Sequence, residues 1–286
     1  MSRCAYVNGS YVAHRAASVH VEDRGYQFAD GVYEVIAVCR RALVDAELHL
    51  DRLERSLREL EIAMPMSRAA LAFVMDEVIT RNRVQDGIIY IQMTRGVAPR
   101  DHAFPAQPQT QIVMTARRGK PQPRSYDEDG VKAISLPDIR WARCDVKSVS
   151  LLPNVLAKQR ARESGAYEAL FVTADGIVTE GSSTNAWIVT RGGELVTQPS
   201  SNAILTGITR RTVMEIAREE GLVLVERGFT LAEAKAAREA FVTSTTSLVM
   251  PVTQIDDAVI ANGKAGSVSR KLRQRYVAHM AQARPA

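Results

Sequence analysis

Hydrophobic positions along this chain come in short blocks that either alternate or recur at helical spacing, and the blocks together predict a mixed α/β fold. AYVNGSYV (5–12) sets apolar residues on both sides of Asn8-Gly9, a two-residue hairpin signal. GVYEVIAVC (31–39) alternates aromatic and β-branched residues and predicts a strand. From Glu47 to Ala63, Leu48, Leu50, Leu53, Leu57 and Leu60 recur at helical spacing, and Pro65 closes that helix. A second helix over 67–82 takes Ser67 as its N-cap. GIIYIQMTRG (87–96) and TQIVMTA (110–116) read as strands, separated by an irregular stretch that holds Pro99, Pro105 and Pro108.

The pattern breaks at RRGKPQPRSYDEDG (117–130), where Pro121 and Pro123 favour extended backbone without ladder donors. Beyond it the spacing predicts a strand (131–136), a helix opened by Pro153 (153–164) and a strand (167–173) turned at Ala174-Asp175-Gly176. A return strand follows, and then NAWIVT (185–190) pairs with ELVTQ through Arg191-Gly192-Gly193. A helix from about 208 to 220 has Thr206 available as its cap and ends at Gly221. LVLVERG (222–228), a short helix (230–237), EAFVTST (239–245) and a terminal helix (267–282) complete the pattern, with no internal repeat. The expected division is a smaller N-terminal α/β domain (1–118), a linker (119–125) and a larger C-terminal domain (126–286).

Composition narrows the class without changing this picture. The 286 residues are 46% hydrophobic and 24% charged, enough apolar surface to offset chain entropy and exclude intrinsic disorder. No apolar run approaches the roughly 20 residues that cross a bilayer, and MSRCAYVNG has no signal-peptide core. Cys4, Cys39 and Cys144 lie far apart without CxxC spacing, which predicts neither a disulfide framework nor a zinc knuckle, and a cytoplasmic location. The histidines outside 100–102 (14, 20, 49 and 279) show no metal-ligand spacing, so no metal site is expected.

The 37 basic residues exceed the 32 acidic ones by five, which raises the question of a nucleic-acid partner. Most of the arginines sit beside acids on predicted helices, as in DRLERSLRELE (51–61), and the one basic cluster, Arg270 to Arg275, lacks a stacking platform. Neither nucleic acid nor membrane is therefore expected as a partner. More useful is that only seven of the basic residues are lysines, at 120, 132, 147, 158, 235, 264 and 271.

Lys147, in CDVKSVSLLPN, is the lysine whose surroundings suit chemistry. It reads either as a strand-end side chain reaching for solvent or as an amine that forms a Schiff base, which must be neutral to attack a carbonyl. Glu180, in TEGSSTN (179–185), is either a turn residue or a carboxylate facing a buried cation or a protonated ring nitrogen. LTGITR (205–210) offers backbone N–H groups at Gly207, Ile208 and Thr209 to an anion such as a phosphate monoester, or is an ordinary helix start. The hydroxyl run TSTTS (243–247) could serve the same anion or merely end a strand. One lysine, one glutamate and two phosphate cradles in one domain suggest pyridoxal phosphate. In the first domain, Arg100 and His102 stand two apart in a proline-bounded loop, either solvated or converging on a carboxylate.

With these residues in place, the chain resembles the class IV, or fold type IV, pyridoxal-phosphate aminotransferases. The signature E-x-S-x-x-N…L-x-G-I-x-R is present as Glu180, Ser182, Asn185, Leu205, Gly207, Ile208 and Arg210, with Trp187 where Phe or Tyr is usual. Within that class it resembles the D-amino-acid aminotransferases through EDRGYQFADGVYEV (22–35), HLDRL (49–53), TRGVAPRDHAFP (94–105) and DIRWARCDVKSVSLLPNVLAKQ (138–159), then VTEGSS (178–183), GITR (207–210) and FVTSTTS (241–247). The similarity spans about residues 5 to 276.

The resemblance implies two mixed α/β domains with the active site between them, and ping-pong transfer of an amino group from a D-amino acid to a 2-oxo acid. It implies that Lys147 carries the cofactor and shuttles the proton, and that Glu180 bonds the pyridine nitrogen. Arg52, Ile208, Thr209 and Ser244 or Thr245 would hold the phosphate, Leu205 would pack on the ring, and Ser183 would lie beside the cofactor. Tyr33, Arg100 and His102 would trap the substrate carboxylate, the loop pair coming from the other subunit of a homodimer. The related expectations are a branched-chain L-aminotransferase or an aminodeoxychorismate lyase of the same class.

Overall fold

In the computed structural model, which describes residues 3–119, 122–123 and 125–283, the chain divides into two compact units. One takes in the described residues of 1–120 together with Val146–Ser150 and Ala283, and the other those of 121–145 and 151–282. Of the linker expected at 119–125, residues 120, 121 and 124 lie outside the described ones. Gln122 is anchored in the second unit, donating to the Thr246 carbonyl at 2.8 Å and accepting from Arg273 at 2.6 Å.

The first unit runs β1 (Cys4–Val7), β2 (Ser10–Ala13), α1 (Arg24–Phe28), β3 (Gly31–Cys39), β4 (Ala42–Leu43), α2 (Ala46–Glu59), α3 (Arg68–Arg81), β5 (Gly87–Thr94) and β6 (Gln111–Arg118). Its six strands form one antiparallel sheet in the order β2-β1-β6-β5-β3-β4. The hairpin turns at Asn8 and Gly9, both at positive φ. Leu50, Leu53 and Leu57 of α2 and Leu71, Met75 and Ile79 of α3 pack with Ile36, Ile89 and Met114 of the sheet in one core. The α2 stripe differs from the leucine periodicity. His49 and Ser56 are buried, while Leu48 and Leu60 are only partly covered. That helix also stops at Glu59 and not at Ala63, because Glu61 takes a left-handed φ of 54° and its amide turns back to the Arg58 carbonyl.

The second unit runs α4 (Ser125–Glu128), β7 (Val131–Pro137), α5 (Leu152–Glu163), β8 (Glu168–Val172), β9 (Val178–Gly181), β10 (Asn185–Val189), β11 (Leu195–Thr197), α6 (Ile208–Glu219), β12 (Leu224–Glu226), α7 (Leu231–Lys235), β13 (Glu239–Ser244), β14 (Leu248–Ile255), β15 (Ala258–Val259) and α8 (Ser267–Met280). Its nine strands form a mixed sheet, β12-β11-β10-β13-β14-β7-β8-β9 with β15 on β14. β14 has no counterpart in the sequence reading, since Pro251 interrupts its pattern. It is tolerated because the β7 ladder begins only at Val252. α6 opens at Gly207 and not at Thr206, so its first turn has no side-chain cap. No helix among the described residues is long and apolar enough to cross a membrane.

Candidate active site

Lys147 belongs structurally to the first unit, on the short segment 146–150 that the later sequence sends back to it. The segment lies against β3. The Tyr33 amide donates to the Lys147 carbonyl and the Val149 amide to the Gly31 carbonyl, both at 3.0 Å, with Ser148 opposite Val32. The Lys147 amide donates to Ser56 Oγ of α2 at 3.3 Å. Its side chain is half-buried, with Nζ 4.2 Å from the centroid of the Tyr33 ring, which itself stacks on Tyr90 at 5.8 Å. A backbone pinned on both sides and an amine over an aromatic face set this lysine apart from a strand-end side chain trailing into solvent.

Arg52 stands on the same face of α2 as His49 and grips Glu34 of β3 with both sides of its fork, Nε to Oε2 at 3.0 Å and Nη2 to Oε1 at 2.7 Å. His49 Nδ1 lies 2.9 Å from the same Oε1. Burial by itself would raise the Glu34 carboxyl, but Arg52 and His49 outweigh it and hold it far below the usual carboxylate range. Burial pushes His49 below its ordinary value, against the hydrogen bond to Glu34. Glu34 thus orients Arg52, a role the sequence reading did not find. The available signal was an acid in the middle of an otherwise apolar strand.

Arg100 and His102 are exposed, and both meet Phe28 of α1. The Arg100 guanidinium carbon lies 4.8 Å from the ring centroid, and the His102 ring centroid 5.3 Å from it. Among the described contacts of one chain they meet Phe28, and none joins them to Tyr33 or Lys147.

In the second unit, Glu180 lies near the end of β9 with its carboxylate buried and three donors converging on it. These are Arg140 Nη1, Asn185 Nδ2 at 3.0 Å and the Leu205 amide at 3.1 Å. Asn185 Nδ2 also donates to the Leu205 carbonyl at 2.8 Å, so one amide side chain fixes both Glu180 and the loop before α6. Arg140 is itself held by Asp138 (2.9 and 2.7 Å) and lies over the Phe171 ring at 4.5 Å. Asp138 is lowered because Arg140 and Thr179 overcome the effect of its burial. Arg140 and Asp138 are further residues missed from sequence, although the Asp-x-Arg spacing after β7 signals a local pair. Burial pushes the neighbouring Cys144 thiol up to about 11.

The remaining expected cofactor residues sit at one end of this sheet. Asn185 pairs in register with Thr243, so the start of β10 and the end of β13, with Ser244 and then Thr245, lie side by side. Ser244 Oγ accepts from the Ser247 amide at 3.0 Å. Ile208 and Thr209 form the buried first turn of α6, and Leu205 is half-buried just before it. Ser183 is exposed, and its hydroxyl donates to the buried Glu168 at 3.0 Å. A Cβ at Gly207 would stand 2.1 Å from Asn185 Oδ1, so only glycine lets the helix start lie this close. Trp187 is fully buried, stacked on Phe241 at 5.5 Å, with its N–H donating to Thr243 at 3.0 Å. Its bulk is absorbed by the packing behind the site.

An uncapped helix start, adjacent hydroxyls and a buried carboxylate backed by an arginine and an asparagine suit a ligand with an anionic end and a basic ring nitrogen. The residues present therefore fit pyridoxal phosphate.

Comparison with known proteins gives the same direction. The family model for amino-transferase class IV matches residues 31–255. A D-alanine aminotransferase of Staphylococcus epidermidis is 40% identical over 271 residues, covering 95% of each chain. One from Bacillus licheniformis is 41% identical over 265 residues and 93% of each chain. Among solved structures, a T.th. branched-chain amino acid aminotransferase with pyridoxamine 5'-phosphate matches with a TM-score of 0.91 at 25% identity, over 100% of this chain and 96% of that one.

Proposed function

The chain belongs to the amino-transferase class IV family and has its fold type IV architecture, and from that premise we propose that it is a pyridoxal-phosphate-dependent D-amino-acid aminotransferase. It moves an amino group from a D-amino acid such as D-alanine to a 2-oxo acid such as 2-oxoglutarate. The observation that carries this reading is Lys147, pinned against β3 with its amine over Tyr33, in a chain about 40% identical to D-alanine aminotransferases nearly end to end.

When bound, pyridoxal phosphate supplies an aldehyde for the amino group and an electron-withdrawing ring. Lys147 would hold the aldehyde end until the substrate amine displaces it, and its freed Nζ, when neutral, would take the proton from the substrate Cα. Glu180, held by Arg140, Asn185 and the Leu205 amide, keeps a proton on the ring nitrogen. Arg52, Ile208, Thr209, Ser244 and Thr245 bind the phosphate, Leu205 packs on the ring, and Ser183 lies beside it. Tyr33, Arg100 and His102 take the substrate carboxylate, so that the Cα–H of the D-enantiomer faces Lys147. The loop pair comes from the second subunit of a cytoplasmic homodimer. That arrangement is supported by the exposure of Arg100 and His102, which lie against Phe28 at the surface of their own chain.

The likeness to branched-chain aminotransferases favours a second reading, an L-branched-chain activity. A panel of D- and L-alanine and D- and L-leucine with pyruvate or 2-oxoglutarate separates the two. D-alanine with 2-oxoglutarate yields pyruvate and D-glutamate on the first reading, and turnover of L-leucine alone assigns the second. Steady product release without any 2-oxo acid acceptor assigns the lyase of this class. Lys147→Ala should abolish turnover and the visible absorbance of the bound cofactor, and an unchanged spectrum would overturn the lysine assignment.

A further inference from the structure

The loop that carries Arg100 and His102 has no regular secondary structure, yet three of its consecutive carbonyls turn onto one buried guanidinium. Arg24, at the start of α1 and 3% exposed, donates from Nη1 to the carbonyls of Asp101 (2.6 Å) and Ala103 (3.2 Å), and from Nη2 to that of His102 (3.3 Å). Its Nε donates to Asp30 Oδ2 at 2.8 Å. Asp30 is shared with a second buried arginine, Arg95, through contacts of 2.7 and 3.0 Å. Arg95 spends its other donors on the carbonyls of Leu60 and Glu61.

The charge balance explains why the loop is held. Two buried guanidinium groups share one carboxylate, which leaves an excess positive charge out of water. Backbone carbonyl dipoles supply what the missing second acid would have supplied, three from the loop and two from Leu60 and Glu61 just past α2. If the loop moved away, Arg24 would be left as an under-partnered buried cation, an expensive state. Only a planar fork with five donors can bridge three carbonyls and a carboxylate at once, and a lysine cannot. Arg24 also lies 4.9 Å from the Phe28 ring, the same ring that Arg100 and His102 meet.

We propose that Arg24 is a positioning residue for carboxylate recognition, locking the backbone of Asp101–Ala103 so that Arg100 and His102 are presented together against Phe28. This rests on the reading of Arg100 and His102 as the carboxylate ligands, and the test separates the two claims. The holoenzyme and its Arg24→Met, Arg24→Lys and Arg100→Ala variants are reacted with D-alanine and with D-alaninamide, which lacks the carboxylate. Hydrogen exchange is followed over residues 97–104.

In Arg24→Met the ratio of kcat/KM for D-alanine over D-alaninamide should fall at least about ten-fold, as in Arg100→Ala, since small misplacements of a binding group have effects of that size. The alaninamide reaction itself should stay within about two-fold of the native enzyme, and exchange over 97–104 should accelerate. Arg24→Lys, which keeps the charge but not the fork, should show the same drop in ratio and serves if the methionine variant does not fold. A ratio kept in both Arg24 variants while Arg100→Ala collapses it overturns the role of Arg24. A ratio kept in Arg100→Ala overturns the carboxylate reading itself.

Discussion

Glu34, His49 and Arg52 form a buried trio whose protonation sets a pH dependence of stability. His49 has its value lowered by burial, so between that value and about 6.5 the unfolded chain binds a proton that the native state does not. Stability should therefore fall as pH drops below about 6.5, by at most about 1.4 kcal/mol per pH unit from this residue. Glu34 is depressed far below the carboxylate range, so its contribution is full above about pH 4.5 and is lost progressively as pH falls below that. Urea midpoints measured between pH 8 and pH 5.5 should decline more for the native protein than for His49→Gln, which removes the titrating ring. Parallel declines would show that another group carries the effect. Glu34→Ala, by contrast, should cost roughly 3 kcal/mol at pH 7, because it strands Arg52 without its buried partner.

At the scale of elements, α6 and α8 begin in opposite ways. The first turn of α8 is served from within the fold, where Glu239 of β13 accepts from the amides of Val268 and Ser269 at 2.9 Å each. α6 starts at Gly207 with no side-chain cap, against Asn185. Gly207→Ala would drive a Cβ into Asn185 Oδ1 and displace the side chain that holds both Glu180 and the Leu205 carbonyl. Titration of apoenzyme with pyridoxal phosphate should show affinity reduced by about ten-fold or more, with about 1–3 kcal/mol of stability lost to overpacking. Gly266→Ala, where the clash is with Glu239, should cost comparable stability and leave cofactor affinity near native. Much at this scale was legible in the chain. The Asn8-Gly9 hairpin, the Ser67 cap and the strand from Gly31 to Cys39 follow from turn chemistry and periodicity, which are local. β14 was not, because Pro251 breaks the local pattern and only its place before the β7 ladder makes it acceptable.

For the whole molecule, the proposed exchange of the Arg100/His102 loop between subunits has a distinct consequence. Lys147→Ala removes the amine and Arg100→Ala removes the carboxylate ligand, so each homodimer should be nearly inactive. In mixed dimers, one site would combine an intact Lys147 with an intact loop from its neighbour. Co-expression or refolding of the two variants together should then restore about a quarter of native activity, the statistical share for random pairing in a two-fold dimer. A mixture no more active than its components would place the loop in its own subunit's site.

The chain by itself determined which residue types could carry the chemistry. With seven lysines in 286 residues, and the Glu180, Asn185 and Gly207–Arg210 spacing, adjacent residues made a lysine and an anion cradle candidates, and the resemblance to a family chose between their alternative readings. What only the tertiary structure decided is how those residues are held. Val146–Ser150 returns to the first unit and pairs with β3, so Lys147 is seated on the sheet of the domain that precedes it in sequence. Arg140 reaches Glu180 across 40 positions, and Arg24 reaches Asp101 across 77. Periodicity and spacing report on neighbours within a few turns or one hairpin. Partners this distant are chosen by burial, because a guanidinium taken out of water must find acceptors wherever the packed chain brings them.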